Sequence, residues 1–219
     1  MKKFLFAILM ITACNKEHST ETALLKEPEV LNTEDFTKVE ISSILSTLKP
    51  TTAFDYAELR LSAGQGPLGN ELYSVMATAG DRSALNGTCL DLIKKLPVTE
   101  SGFAENCTPI CNFNYVMAAQ NNGQVKVINS IDGLKSYLGN IDSEDDAEIL
   151  TLANGYEFDY NNKDAAGVKK TNDGFDILCK KRVHDCHPIQ YNRFWLHVST
   201  DGNITIKEEI IYSTLDACI

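Results

Sequence analysis

The sequence lacks any apolar run long enough to cross a membrane as a helix, which requires about 20 residues. Its N-terminal apolar run, Phe4 to Ile11, is eight residues long. Basic residues are also scarce, because the 219 residues carry a formal net charge of −10 and no basic cluster exceeds Lys180-Lys181-Arg182. Nucleic-acid binding depends on Lys and Arg that neutralise phosphates, so the composition argues against a nucleic-acid partner.

Recognisable catalytic and cofactor motifs are also missing. The chain has no G-x-S-x-G elbow, so no serine stands out as a nucleophile. Gly64 to Gly69 matches G-x-G-x-x-G by letter, but Glu71 to Ala77 does not favour the helix that a dinucleotide site needs, and we interpret the glycines as a loop between two strands. His184, Cys186 and His187 cluster without a second ligand pair. We therefore expect no catalytic residue, no metal and no cofactor.

The N-terminus has the three parts of an export signal. Met1-Lys2-Lys3 is positively charged, Phe4 to Ile11 is apolar, and Thr12-Ala13 is small, so residues 1–13 are predicted to be a signal peptide. An export signal alone does not explain why a cysteine, Cys14, follows it directly.

Ile11-Thr12-Ala13-Cys14 resembles the lipobox of bacterial lipoproteins. The resemblance implies cleavage after Ala13 and attachment of three acyl chains at Cys14, which would anchor the protein firmly in a membrane. Asn15, in place of the Asp that retains such proteins in the inner membrane, implies the outer membrane, with the protein facing the periplasm or the cell surface. Because the chain is acidic, we expect only the lipid to contact the membrane.

Lipidation of Cys14 leaves an even number of cysteines. In the oxidising compartment outside the cytosol, six cysteines predict three disulfides. The strand pattern favours a Cys186–Cys218 bond, and the other pairings stay open. The six candidates are Cys89, Cys107, Cys111, Cys179, Cys186 and Cys218.

The remaining chain is predicted to contain a tether and one domain. Residues 14–34 are polar and acidic without sustained periodicity, which is typical of a flexible tether, and residues 35–219 form the domain. Apolar spacing predicts a helix from Phe36 to Leu48, and a shorter one from Ile131 to Leu138. A third begins after Ser143, a good N-cap, and ends at Asn154-Gly155.

The C-terminal third alternates with period two. Three strands are predicted, over residues 174–183, 193–199 and 203–211, with Asp201-Gly202 as a tight turn between the last two. The expected fold class is therefore α+β, with an antiparallel sheet that contains a C-terminal meander, a few helices and stapling disulfides.

Two segments align without a gap. One begins at Cys107 and the other at Cys186, and in each a proline, an isoleucine and an aromatic residue follow the cysteine at the same spacing. The turn glycines Gly123 and Gly202 also coincide. The alignment predicts two similar hairpins, either by duplication or because hairpins resemble one another.

These features favour a binding or interaction domain in the envelope. Arg193, Trp195 and His197 share one strand face and could form a recognition surface, unless helices cover that face and make Trp195 part of the core. The alternative function is an exported hydrolase with a site near His184 to His197. The acidic residues between Asp142 and Glu148 are interpreted as a solvated helix face.

Overall fold

The computed structural model describes residues 32–65, 71–96, 101–107 and 111–217. The predicted signal peptide, Cys14, Cys218, the centre of the glycine-rich loop and nearly all of the predicted tether lie outside these residues. Within them the chain has an α+β fold with ten strands and three α-helices, and the strand pairs are antiparallel. The strands are β1 (Thr37–Lys38), β2 (Tyr56–Gln65), β3 (Glu71–Gly80), β4 (Phe103–Cys107), β5 (Cys111–Gln120), β6 (Gln124–Ile128), β7 (Gly167–Lys170), β8 (Gly174–Asp185), β9 (Ile189–Ser199) and β10 (Ile204–Leu215).

The strands form two sheets. The N-terminal sheet has the order β3-β2-β5-β4, and β6 pairs with the second half of β5. The C-terminal sheet has the order β1-β7-β8-β9-β10. Strands β2 and β3 flank the glycine-rich loop, as the sequence predicts, and they pair directly with each other. No crossover helix separates them in the described residues, so this segment does not form a βαβ unit.

The predicted C-terminal meander is confirmed. Strands β8, β9 and β10 pair in chain order, and Gly202 lies in the last turn with a φ of +76°. Phe194, Leu196 and Val198 alternate along β9 and are buried on the face that packs into the core. Period two therefore identified both the strand and its buried face.

The three helices are α1 (Gly87–Lys95), α2 (Ile131–Leu138) and α3 (Glu144–Ala153). Helices α2 and α3 agree with the sequence prediction. Ser143 caps α3 in a capping box with Asp146, and Asn154 is the C-cap. Helix α1 was not predicted, although the Asn86 side chain caps it by accepting a hydrogen bond from the Cys89 N–H at 2.8 Å.

The predicted helix from Phe36 to Leu48 is wrong. This segment forms the short strand β1 and a 3-10 turn at Ile41–Ser43. Its apolar side chains are buried as expected, including Phe36, Val39, Ile44 and Leu45. The backbone of this segment pairs with β7 instead of forming a helix. Thr37 lies opposite Val168, and Lys38 lies opposite Gly167.

The elements stack as layers around one large core. Helix α3 lies between the sheets, since it contacts β7 and β8 on one side and β4 on the other. Apolar residues from both sheets, α2 and α3 belong to the same buried cluster. Helix α1 packs on the opposite face of the N-terminal sheet, where Cys89 and Ile93 join Met117 in a smaller cluster.

That opposite face also buries an ion pair. Arg60 Nε donates to Glu58 Oε2 at 2.6 Å, and both side chains are at most 2% exposed. Tyr56 donates its hydroxyl to the other carboxylate oxygen at 2.7 Å. The Arg60 guanidinium also stacks over Tyr73 at 4.2 Å from the ring centroid. Charges removed from water in this way need such partners, because unpaired burial is costly.

The two segments with similar sequences form similar hairpins. Strands β5 and β6 make the first, β9 and β10 the second, and the turn glycines Gly123 and Gly202 both have positive φ. The hairpins belong to different sheets. Duplication of a common unit remains a hypothesis.

Candidate ligand-binding cleft

A cleft with a volume of about 890 Å³ opens between the two sheets beyond the C-terminal end of α3. The N-terminal sheet contributes Asn112 and Asn114, and the C-terminal sheet contributes the end of β8. The volume lies in the range of pockets that hold small molecules, about 300 to 1,000 Å³. The lining residues are Ile41, Leu61, Met76, Ala104, Asn112, Asn114, Ile131, Leu152, Ala153, Asn154, Gly155, Tyr156, Glu157, Phe158, Tyr160, Lys181, Arg182 and Asp185.

Helix α3 is fixed in place by its buried acidic residues. The Asp146 carboxylate accepts hydrogen bonds from the Ser143 N–H and the Lys49 N–H, both at 3.0 Å. Asp145 accepts the Thr47 N–H. The interpretation as a solvated acidic face holds for the exposed Asp142 and is wrong for Asp145 and Asp146, which are buried and attach the segment before β2 to the helix N-terminus.

Among these acids, Glu148 is the one whose burial is not offset by hydrogen bonds within the described residues. It is 4% exposed and makes no hydrogen bond with the described residues. Burial, and then the charges of Asp145 and Glu144, raise the pKa of its carboxyl to about 8. Glu148 also contributes, after burial, to the raised pKa of Tyr160, so it lies close to one wall of the cleft. The carboxyl is thus neutral over most of the physiological pH range.

Aromatic rings form much of the cleft wall. Tyr156 packs edge-on against Phe194 with ring centroids 5.2 Å apart, and Phe158 packs against Tyr160 at 6.2 Å. Burial raises the pKa of Tyr156. Its hydroxyl therefore stays protonated, and the wall offers flat apolar surfaces with polar edges.

Lys181, Arg182 and Asp185, which line the cleft, interact with neighbouring residues. Lys181 Nζ donates to the Asn154 carbonyl at 3.3 Å and lies 4.8 Å from the centre of the Tyr156 ring. Arg182 Nε contacts Asp185 Oδ1 at 2.9 Å. With Glu157 on the same wall, two cations balance two anions. The lining has no net charge to attract an ionic ligand.

The amides of Asn112 and Asn114 lie opposite this wall. Their side chains make no hydrogen bond with the described residues and are half-buried. They occupy the same face of β5 as the buried Val116 and Ala118, so the apolar face of the strand becomes polar where it reaches the cleft.

The predicted recognition residues lie elsewhere. Arg193, Trp195 and His197 share the face of β9 that points away from α3, and each is half-buried. His197 Nδ1 is 2.9 Å from Asp176 Oδ1, and Arg193 Nη2 is 3.0 Å from Glu208 Oε2.

The half-buried Trp195 ring packs against Phe36 and Lys207. Phe36 contacts it edge-on, with ring centroids 6.3 Å apart, and Lys207 Nζ lies 5.3 Å from the ring. The structure brings the three residues together, and Arg193 Nε and Trp195 Nε1 have no hydrogen-bond partner among the described residues, so the recognition surface stays a prediction.

The histidines near the β8–β9 turn are exposed and do not converge on the cleft. His187 Nδ1 is 3.3 Å from Asp216 Oδ1, whereas His184 lies opposite Gln190. Among the described residues, no three His, Cys, Asp or Glu side chains are placed to hold a metal ion.

The prediction of three disulfides is wrong for two of the six cysteines. Cys89 and Cys179 are free thiols and both are fully buried, Cys89 under α1 and Cys179 in the main core. Burial raises the pKa of both thiols, which keeps them protonated. Cys186 does take part in a disulfide. The structure does not describe the side chains of Cys107, Cys111 and Cys218.

Comparison with known proteins yields no relative. No protein-family model, curated protein or solved structure matches this chain. In addition, none of the helices in the described residues is long and apolar enough to cross a membrane.

Proposed function

We propose that this protein is a lipid-anchored envelope protein of bacteria, and that its domain binds a neutral ligand in the cleft between the sheets. The observation that carries the proposal is the lining, which combines aromatic faces, two amides without a partner among the described residues, and balanced charges in one cavity. A sugar-like ligand, with an apolar face and many hydroxyl groups, matches this chemistry, because rings cover its apolar face and amides bind its hydroxyls.

The positions of the histidines favour binding over hydrolysis. His184 pairs with Gln190 in the sheet register and His197 lies seven residues further along β9, which corresponds to about 23 Å at the rise of a strand. A general base must lie within hydrogen-bond reach of its partner, so these two histidines cannot serve one site.

The binding proposal is tested by filling the cleft. Asn114→Trp places a large ring on the lining, and Thr205→Trp places the same ring on an exposed position of β10 as a control. We expect N-acetylglucosamine oligomers and octyl glucoside to shift the side-chain amide NMR signal of Asn112 saturably in the wild type and in Thr205→Trp. This shift should disappear in Asn114→Trp. Saturable shifts that map outside the lining residues, or none at all, contradict the proposal.

The anchor is proposed from the lipobox-like sequence at Cys14. Cells that express the protein should incorporate labelled palmitate into the wild type and into Cys89→Ser, but not into Cys14→Ser. Labelling that survives Cys14→Ser would contradict lipidation at this residue. Attachment to the outer membrane should then depend on Cys14, and membrane fractionation measures it.

Two disulfides are proposed to staple the domain, in place of three. With Cys89 and Cys179 free, four cysteines remain outside Cys14. Cys186 is already disulfide-bonded, and Cys218 follows closely after Leu215, which pairs with Ile189 at the start of β9. Cys107 and Cys111 are direct partners in the β4–β5 register, which supports pairing between them. The proposed bonds are therefore Cys186–Cys218 and Cys107–Cys111.

A further inference from the structure

A second cavity, with a volume of about 520 Å³, lies beside the C-terminal half of α1. It shares no lining residue with the cleft between the sheets. Its lining is mostly apolar, and Leu92, Leu96, Phe54 and Val125 contribute to it. Leu92 is 41% exposed, so this apolar wall is open to solvent on one side.

One buried polar atom in this lining lacks a hydrogen-bond partner among the described residues. Tyr137 is 2% exposed, and its hydroxyl makes no hydrogen bond with that part of the chain. A buried hydroxyl without a partner costs about 1 to 3 kcal/mol, so such groups are normally satisfied by another group or by water. Burial raises the pKa of Tyr137 to about 12, which leaves the hydroxyl protonated and able to donate.

A cation stands next to that hydroxyl-bearing ring. Lys126, on β6, also lines the cavity, and its Nζ is 5.2 Å from the centre of the Tyr137 ring. Lys126 is exposed and forms no ion pair with the described residues. The cavity therefore combines an apolar wall with a hydroxyl donor and an ammonium group, neither of which meets an acceptor or an anion among the described residues.

We propose that this cavity binds a fatty carboxylate. The alkyl chain would lie against Leu92, Leu96 and Val125, and the carboxylate would accept hydrogen bonds from the Tyr137 hydroxyl and the Lys126 ammonium. Each part of the ligand then has a partner, because apolar surface leaves water and the anion meets a cation and a donor. The acyl chains at a lipidated Cys14 would be esters and an amide without an anionic group, so they would not need Lys126.

The proposal is tested by calorimetric titration of the full chain carrying Cys14→Ser, so that no acyl group of its own competes. Dodecanoate is expected to bind with 1:1 stoichiometry. Lys126→Gln should weaken dodecanoate binding five- to twentyfold and leave dodecanol binding unchanged. Tyr137→Phe should weaken both ligands by similar factors, because it removes only the donor. Lys94→Gln, an exposed lysine of α1 outside the cavity, should change neither.

Three outcomes would overturn the proposal. The first is the absence of saturable dodecanoate binding, in which case water alone satisfies Tyr137. The second is equal loss of dodecanoate and dodecanol binding in Lys126→Gln, which indicates a purely apolar or acyl site. The third is that neither Lys126→Gln nor Tyr137→Phe changes the affinity for dodecanoate. Asn114→Trp, which fills the cleft, should keep dodecanoate binding. The experiment therefore distinguishes a failure of the fatty-carboxylate proposal from a failure of the proposed function of the cleft.

Discussion

The backbone N–H of His187 donates a hydrogen bond to the carbonyl oxygen of Ala217 at 3.0 Å. This bond connects the β8–β9 turn to the segment that follows β10. The residues next to these two along the chain are Cys186 and Cys218. This contact supports the proposed Cys186–Cys218 disulfide, which would require Cα atoms about 4.4 to 6.8 Å apart.

The first prediction concerns these cysteines. In the denatured but unreduced protein, an alkylating reagent should modify Cys89 and Cys179 and leave Cys107, Cys111, Cys186 and Cys218 unmodified. Peptide mapping should find Cys186 linked to Cys218, and Cys218→Ser should lower the unfolding free energy by about 3 kcal/mol. Modification of Cys186 before reduction, or its linkage to Cys107 or Cys111, would show that the assignment is wrong.

The second prediction concerns Glu148. The folded carboxyl has a pKa of about 8 against an ordinary value of 4.5, so the folded state holds a proton that the unfolded state releases. The unfolding free energy is highest below about pH 4.5, where Glu148 is protonated in both states. It falls by on the order of 5 kcal/mol as the pH rises to about 8, because the unfolded state releases this proton first. Glu148→Gln should remove this loss and be more stable than the wild type at pH 8.5.

Urea denaturation between pH 4 and pH 9 measures this slope. Glu40→Gln, which changes an acid with a side chain 55% exposed, serves as the matched control and should keep the wild-type slope. The same slope in Glu148→Gln and in the wild type would mean that Glu148 keeps an ordinary pKa.

The third prediction concerns the buried ion pair. Glu58→Met or Arg60→Met alone should lower the unfolding free energy by about 3 to 5 kcal/mol, because each leaves a buried charge without its partner. The double variant should lose much less than the sum. The exposed pair Lys38 and Glu40, treated in the same way, should show a coupling below about 1 kcal/mol. Strictly additive effects at Glu58 and Arg60 would argue against the pair.

The fourth prediction compares two glycines. Gly80 has a φ of +76°, and a Cβ there would lie 2.0 Å from the Asp55 carbonyl oxygen. Gly87, the first residue of α1, has no atom within 4 Å of that position. Gly80→Ala should therefore lower the melting temperature sharply, whereas Gly87→Ala should raise the unfolding free energy by about 0.5 kcal/mol. A melting temperature unchanged by Gly80→Ala would contradict the close contact.

The sequence predicts best those elements whose information is local. The β9–β10 hairpin follows from alternating residues and the Asp201-Gly202 turn, and α3 follows from the Ser143 cap. The segment from Phe36 to Leu48 fails for the opposite reason. Its partners lie far along the chain, since β1 pairs with β7 and the Lys49 N–H bonds to Asp146, and such contacts override apolar spacing.

The cleft could not be predicted because its walls come from distant segments. One local feature does indicate the cleft. In each sheet, the apolar face of one strand ends in polar residues at the cleft. Asn112 and Asn114 precede Val116 on β5, and Lys181 follows Cys179 on β8. Polar groups at core-facing positions indicate a cavity edge, whereas the acidic residues of α3 gave no comparable indication of burial.

The two sequestered thiols also link conformational stability to chemical integrity. Cys89 and Cys179 are inert only while α1 and the main core cover them. In an oxidising medium, each global opening would expose two reducing thiols to the proposed disulfides, and thiol–disulfide exchange would then leave the molecule permanently mispaired. The working lifetime of the protein is then governed by how rarely the interior opens.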